Sequence, residues 1–83
     1  MKVTLKLYAS LGAFLPAGAT RNAIQLDVPD GTTIGTVLAT HQVPRKNCHL
    51  ILVNGAFAPP ATADGKTLHD GDTVAVWPPV AGG

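Results

Sequence analysis

The spacing of apolar residues changes period along the chain. Val3, Leu5 and Leu7 alternate with Lys2, Thr4, Lys6 and Tyr8, and Ile24, Leu26 and Val28 alternate with Gln25 and Asp27. Each run places its aliphatic residues on one face of a strand. Ile34, Val37, Leu38 and His41 then fall at i, i+3, i+4 and i+7, the stripe of an amphipathic helix of about three turns. Thr32 or Thr33 can cap that helix and Pro44 ends it. Strand signals return with the aliphatic run Leu50 to Val53, the hairpin pair Asn54-Gly55, a short strand at Ala56 to Ala58, and a last strand from Thr73 to Trp77. The order β-β-α-β-β-β predicts an α+β roll, in which one main helix packs on one face of a mixed sheet.

The connections carry their own signals. In ASLGAFLPAGATRN, Leu11, Phe14 and Leu15 have helical spacing that Gly12, Pro16 and Gly18 interrupt, so one turn of helix and then a loop are expected. Pro29-Asp30-Gly31 and Asp70-Gly71-Asp72 read as turns, and Pro59 to Lys66 reads as loop by composition. A chain of 83 residues without internal repeats holds one core.

Composition narrows the function. Apolar residues make up 46% of the chain and charged residues 13%, which is not the signature of disorder. A net charge of +1 supplies no field for nucleic acid. The single cysteine, Cys48, rules out an internal disulfide, and a reducing cytoplasm fits that. Lys2, the stretch LYASLGAFLP and Ala17-Gly18-Ala19 imitate a secretory signal, but Lys6 and the alternation around it suit a strand better. No apolar run has the length of a membrane span, so a soluble protein with no membrane partner is expected.

Most candidate sites dissolve on inspection. His41, His49, His69 and Cys48 lack metal-ligand spacing, so no metal is expected; His41 should edge the helix and the other histidines should lie on the surface. Cys48 abuts a buried strand and reads as a small hydrophobe. Asp70 and Asp72 flank Gly71 as turn formers, and Arg45-Lys46 reads as a solvated loop. Gly31, Gly55 and Gly71 stand singly in turns, which excludes a phosphate-cradling loop in this chain.

The remaining feature is WPPVAGG, from Trp77 to Gly83. At average glycine usage of about 7% per position, a terminal Gly-Gly arises by chance in only about 0.5% of chains, and chance does not account for the stiff Pro78-Pro79 before it. The chain therefore divides into a domain, 1–77, and an extended tail, 78–83. Such a tail reaches roughly 16–20 Å at about 3.3 Å per residue, far enough to enter a pocket in another protein. Its tip presents the α-carboxylate of Gly83, ionised at neutral pH because its ordinary pKa is about 3.3–3.7. A carboxylate resists nucleophiles until it is converted to an acyl-adenylate, so an ATP-using partner is required.

LVNG, L-x-DGD-x-V and WPPVAGG, in this order, resemble the MoaD/ThiS family of ubiquitin-like sulfur carriers, which have the β-grasp fold. The likeness spans nearly the whole chain, although Gly12 stands where an arginine is common in the family. The PPVAGG ending is closer to the small subunit of molybdopterin synthase than to the thiamin-pathway carrier. The resemblance implies that an E1-like adenylating enzyme activates Gly83 with Mg and ATP that it supplies itself, this chain binding no cofactor. A sulfurtransferase persulfide then forms a thiocarboxylate, and an acceptor synthase, such as the large subunit of molybdopterin synthase, takes the sulfur. On this reading Gly82 lets the tail pass, Pro78, Pro79, Val80 and Ala81 form its approach, and Trp77 is either a docking anchor or the edge of the core. Thiamin thiazole or tRNA thiolation, protein modification through Gly83, and a non-catalytic β-grasp interaction module are the rival readings. Residues 58–67 have no clear counterpart in the family.

Overall fold

The first strand, β1 (Lys2–Leu7), and the last, β5 (Thr73–Trp77), lie side by side and parallel at the centre of a mixed sheet. The computed structural model describes residues 1–79. In it β2 (Ala23–Asp27), β3 (Leu50–Val53) and β4 (Ala56–Phe57) complete the order β2-β1-β5-β3-β4, with every other pairing antiparallel. The first two strands form the expected wide hairpin, and Asn54-Gly55, with φ of 52° and 82°, makes the left-handed turn between β3 and β4.

The inner face of the sheet holds Val3, Leu5, Leu7, Ile51, Val53, Val74 and Val76, all buried against Ile34, Val37 and Leu38 of the helix α1 (Ile34–Thr40). Burial of each such side chain contributes about 1.5–3 kcal/mol. This is the α+β roll expected from the period changes, and its topology is that of the β-grasp fold implied by the resemblance. Ile24, Leu26 and Val28 are only partly buried, because α1 lies over the middle of the sheet and leaves the β2 side less covered.

Three local details differ from expectation. The helix α1 has seven residues, about two turns rather than three. It stops before Pro44 because Gln42 adopts a left-handed φ of 58°: Val43 N–H donates to Leu38 C=O and Gln42 N–H to Ala39 C=O, which satisfies the terminal carbonyls. The connection after β1 is a six-residue 3₁₀ helix, Ala9–Phe14, rather than a single turn. Segment 59–66 is not all loop, since Pro60–Ala63 forms a short helix, α2, with proline at its first turn.

That second helix has a structural role. Ala63 is buried, and the chain leaving α2 accepts hydrogen bonds from the first N–H groups of α1: Gly35 to Asp64 C=O and Ile34 to Lys66 C=O, both 3.0 Å. A helix start leaves such donors without partners, and here a neighbouring segment supplies them. Thr33 adds the cap, its Oγ1 accepting from Thr36 N–H at 3.2 Å. Arg45 is tied as well, pairing with Asp64 and donating to Cys48 C=O, and the basic doublet is not loop but part of a 3₁₀ turn, Arg45–Asn47, in which only Lys46 of the two is exposed.

Candidate functional site

The strand β5 alternates, with Val74 and Val76 directed into the core and Trp77 onto the outer face. The ladder continues to its last residue: Leu50 lies opposite Trp77, and His49 N–H donates to Trp77 C=O at 2.9 Å. Pro78, which has no N–H, follows immediately and is half-buried; Pro79 is exposed.

Trp77 does not belong to the core cluster. Its indole stacks on Tyr8, ring centroids 4.5 Å apart and planes 8° from parallel. Tyr8 is brought there by the parallel register of β1 and β5, which Tyr8 N–H extends by donating to Val76 C=O. The chain then turns sharply at Ala9, a non-glycine residue held at φ 50°. A conformation of that kind costs about 1–2 kcal/mol, so the surrounding contacts must hold it in place.

Together Ala9, Ser10, His49, Leu50, Trp77, Pro78 and Pro79 line an open, mainly apolar groove of about 510 Å³. The apolar surface extends past it, since the register sets Leu52 beside Ala75 and next to Phe57, a residue 59% exposed. Of the tail residues singled out in the sequence, Trp77, Pro78 and Pro79 thus meet on one surface. Val80, Ala81, Gly82 and Gly83 lie outside the described residues. Tyr8 and Leu50 were not anticipated there; their signal was the outward phase of β1 and β3, readable only once the register is known.

Several other titratable residues serve the fold. Asp72 accepts from His69 N–H and Asn54 Nδ2, both 2.8 Å, and those bonds hold its carboxyl below the ordinary carboxylate range. Asp70 does more than form a turn, because its Oδ1 accepts from the backbone N–H of Lys2 at 2.7 Å and fastens the start of β1. Burial pushes the Cys48 thiol up, against the opposing pull of Arg45, which suits a packed and unreactive sulfur. His41 caps α1, and His49 and His69 are exposed. Among the described residues no three of His, Cys, Asp and Glu gather as a metal site, and no helix is long and apolar enough to cross a membrane.

The geometry has clear counterparts. No curated protein matches the sequence. SAMP1 from Haloferax volcanii aligns over 100% of both chains with a TM-score of 0.69 and 26% identity. The HVO 2177 protein of the same organism gives a TM-score of 0.74 and 29% identity over 100% of this chain and 87% of its own. A Pyrococcus furiosus protein assigned as molybdopterin converting factor, subunit 1, shares the fold at a TM-score of 0.68 and 22% identity, covering 95% of this chain and 98% of its own. The ThiS family model matches residues 17–83, through both prolines and the final diglycine. With the β-grasp topology and that match together, the chain belongs to the ThiS family of ubiquitin-like proteins.

Proposed function

We propose that this protein is a cytoplasmic sulfur carrier, with residues 78–83 forming an extended arm on the domain 1–77 and Gly83 as the sulfur-bearing residue. The supporting observation is that β5 runs straight into Pro78-Pro79 beside an apolar, aromatic-floored groove, while the family match continues to residue 83. Family membership implies E1-like and synthase partners in general.

In this mechanism the Gly83 carboxylate attacks the α-phosphorus of ATP bound by the E1-like partner, forming the acyl-adenylate and releasing pyrophosphate. Persulfide sulfur from a sulfurtransferase displaces AMP at the acyl carbon. A second thiol then cleaves the acyl disulfide, leaving the thiocarboxylate and an enzyme disulfide. The acceptor synthase takes the sulfur, with molybdopterin synthesis as the pathway that PPVAGG favours. Val80 and Ala81 are slim enough to enter a narrow channel, and Gly82 admits approaches that any Cβ would block. Trp77 anchors the partner, its ring already positioned by Tyr8.

The likeness to SAMP1, whose other crystal structure names it small archaeal modifier protein 1, favours a second reading: transfer of the activated Gly83 to a lysine of a target protein. Mass spectrometry of the chain from its native host separates the two. Replacement of one terminal oxygen by sulfur supports the carrier, whereas linkage of Gly83 to lysine alone supports the modifier. A variant lacking Gly82-Gly83 should stay folded and lose both. Retained activity in that variant would leave only the interaction module.

A further inference from the structure

A second groove, away from Trp77, lies between the edge strand β2 and the helix α1. It has a volume of about 300 Å³ and is walled by Leu26, Val28 and Val37, with Thr36, Thr40 and His41 along the helix side. Its depth reflects the partial burial of Leu26 and Val28 noted above.

The hydrogen-bond register shows what the edge offers. Val28 and Met1 exchange hydrogen bonds in both directions, and Leu7 N–H donates to Asn22 C=O. Antiparallel pairs alternate between bonded and non-bonded. The bonded pairs on β1 are therefore the odd-numbered residues, Val3 with Leu26 and Leu5 with Ile24. Gln25 and Asp27 must direct their N–H and C=O groups outward. At Ala23 the edge is already used, because Thr20 exchanges both bonds with it across the turn at Arg21-Asn22. Neither Gln25 nor Asp27 has a main-chain hydrogen bond on that side among the described residues.

An extended segment laid about 4.8 Å from β2 would meet these groups and project alternate side chains into the groove. Charge adds a direction. Near the C-terminal end of β2 both carboxylates have cations beside them, Asp27 with Lys2 at 2.9 Å and Asp30 with the Met1 ammonium at 3.8 Å. At the opposite end Arg21 is exposed and forms no ion pair among the described residues. We propose that the β2–α1 groove binds an extended partner segment of alternating aliphatic residues, with an acidic residue at the Arg21 end, as a sixth strand of the sheet. The groove shares no lining residue with the one at Trp77, Pro78 and Pro79, so a partner could hold the domain here while that surface is engaged elsewhere.

The test is an amide NMR titration of the full chain with acetyl-Asp-Val-Thr-Val-Thr-Val-Asp-amide. Binding should move the amides of Gln25 and Asp27 and slow their hydrogen exchange, together with shifts of the Leu26, Val28 and Val37 methyls. Replacing the central valine of the peptide by proline, which disrupts the strand, should abolish it. Thr40→Trp, at an exposed helix position, should fill the groove and weaken binding about tenfold or more. Arg21→Glu, on an exposed turn that needs no repacking, should weaken it about three- to fivefold. Shifts centred on Trp77 and Leu50, no shifts at all, or affinity unchanged in both variants would overturn the proposal. So would Gln25 and Asp27 shifts that follow protein concentration without peptide, since the occupant would then be a second copy.

Discussion

Gly35 stands in the first turn of α1, where alanine would ordinarily favour a helix by about 1 kcal/mol. Here the sign reverses, because an added Cβ would meet Asp64 C=O at 2.9 Å and Asp64 Cβ at 3.1 Å. Gly35→Ala should lower unfolding stability by about 1–3 kcal/mol in urea denaturation. Asp72 gives a pH-dependent counterpart. Its folded pKa is depressed, so its contribution is complete above the 3.8 of a free aspartate and is lost as pH falls from there through the folded value. Asp72→Ala should cost about 1–3 kcal/mol at neutral pH, and the gap from the parent should shrink in denaturation curves taken below that pKa. That Cys48 would be inert was readable from the strand beside it. The bond from Lys2 to Asp70 was not, because its partners are 68 residues apart and only the parallel pairing of β1 with β5 brings them together.

Among the elements, α1 depends unusually on its cap. It has no acidic residue in its first turn and no basic residue in its last, so no charged side chain of its own complements its dipole. Thr33→Ala should therefore destabilise the domain by about 0.5–2 kcal/mol, read as a lower denaturation midpoint with an unchanged slope. The first two strands and the main helix were legible because each is long enough to show its period, Val3, Leu5 and Leu7 sufficing for two and Ile34, Val37 and Leu38 for the other, whereas β3 and β4 were read from an aliphatic run and the Asn54-Gly55 turn. Pro60–Ala63 is too short to show any helical repeat, and the pair Pro59-Pro60 at its start reads as loop. The end of α1 was misplaced for a related reason, since Gln42 is not a residue whose type announces a left-handed angle. The Trp77 groove was half legible: aromatic and prolines came from the sequence, whereas Tyr8 and Leu50 needed the sheet order.

For the whole molecule, the sheet has two faces with different duties, one closed by α1 and one open and apolar around Trp77. The division predicts that Trp77→Ala leaves the fold intact, because only a surface stack worth about 0.5–1.5 kcal/mol is lost. On the proposed function it should nevertheless raise the KM for adenylation by the E1-like partner about tenfold or more, with kcat little changed.

The central position of β5 has a mechanical consequence. Traction applied at Pro78 and resisted at Met1 would slide β5 lengthwise against both of its neighbours, β1 and β3, instead of peeling one rung away at a time. All the rungs would then have to give way together. In single-molecule pulling between the two ends, the domain should rupture in one step and at higher force than when pulled from β4 against β3, whose two facing pairs part in sequence. On the proposed function, an arm anchored in this way could be drawn hard into a partner without unravelling the body that carries it.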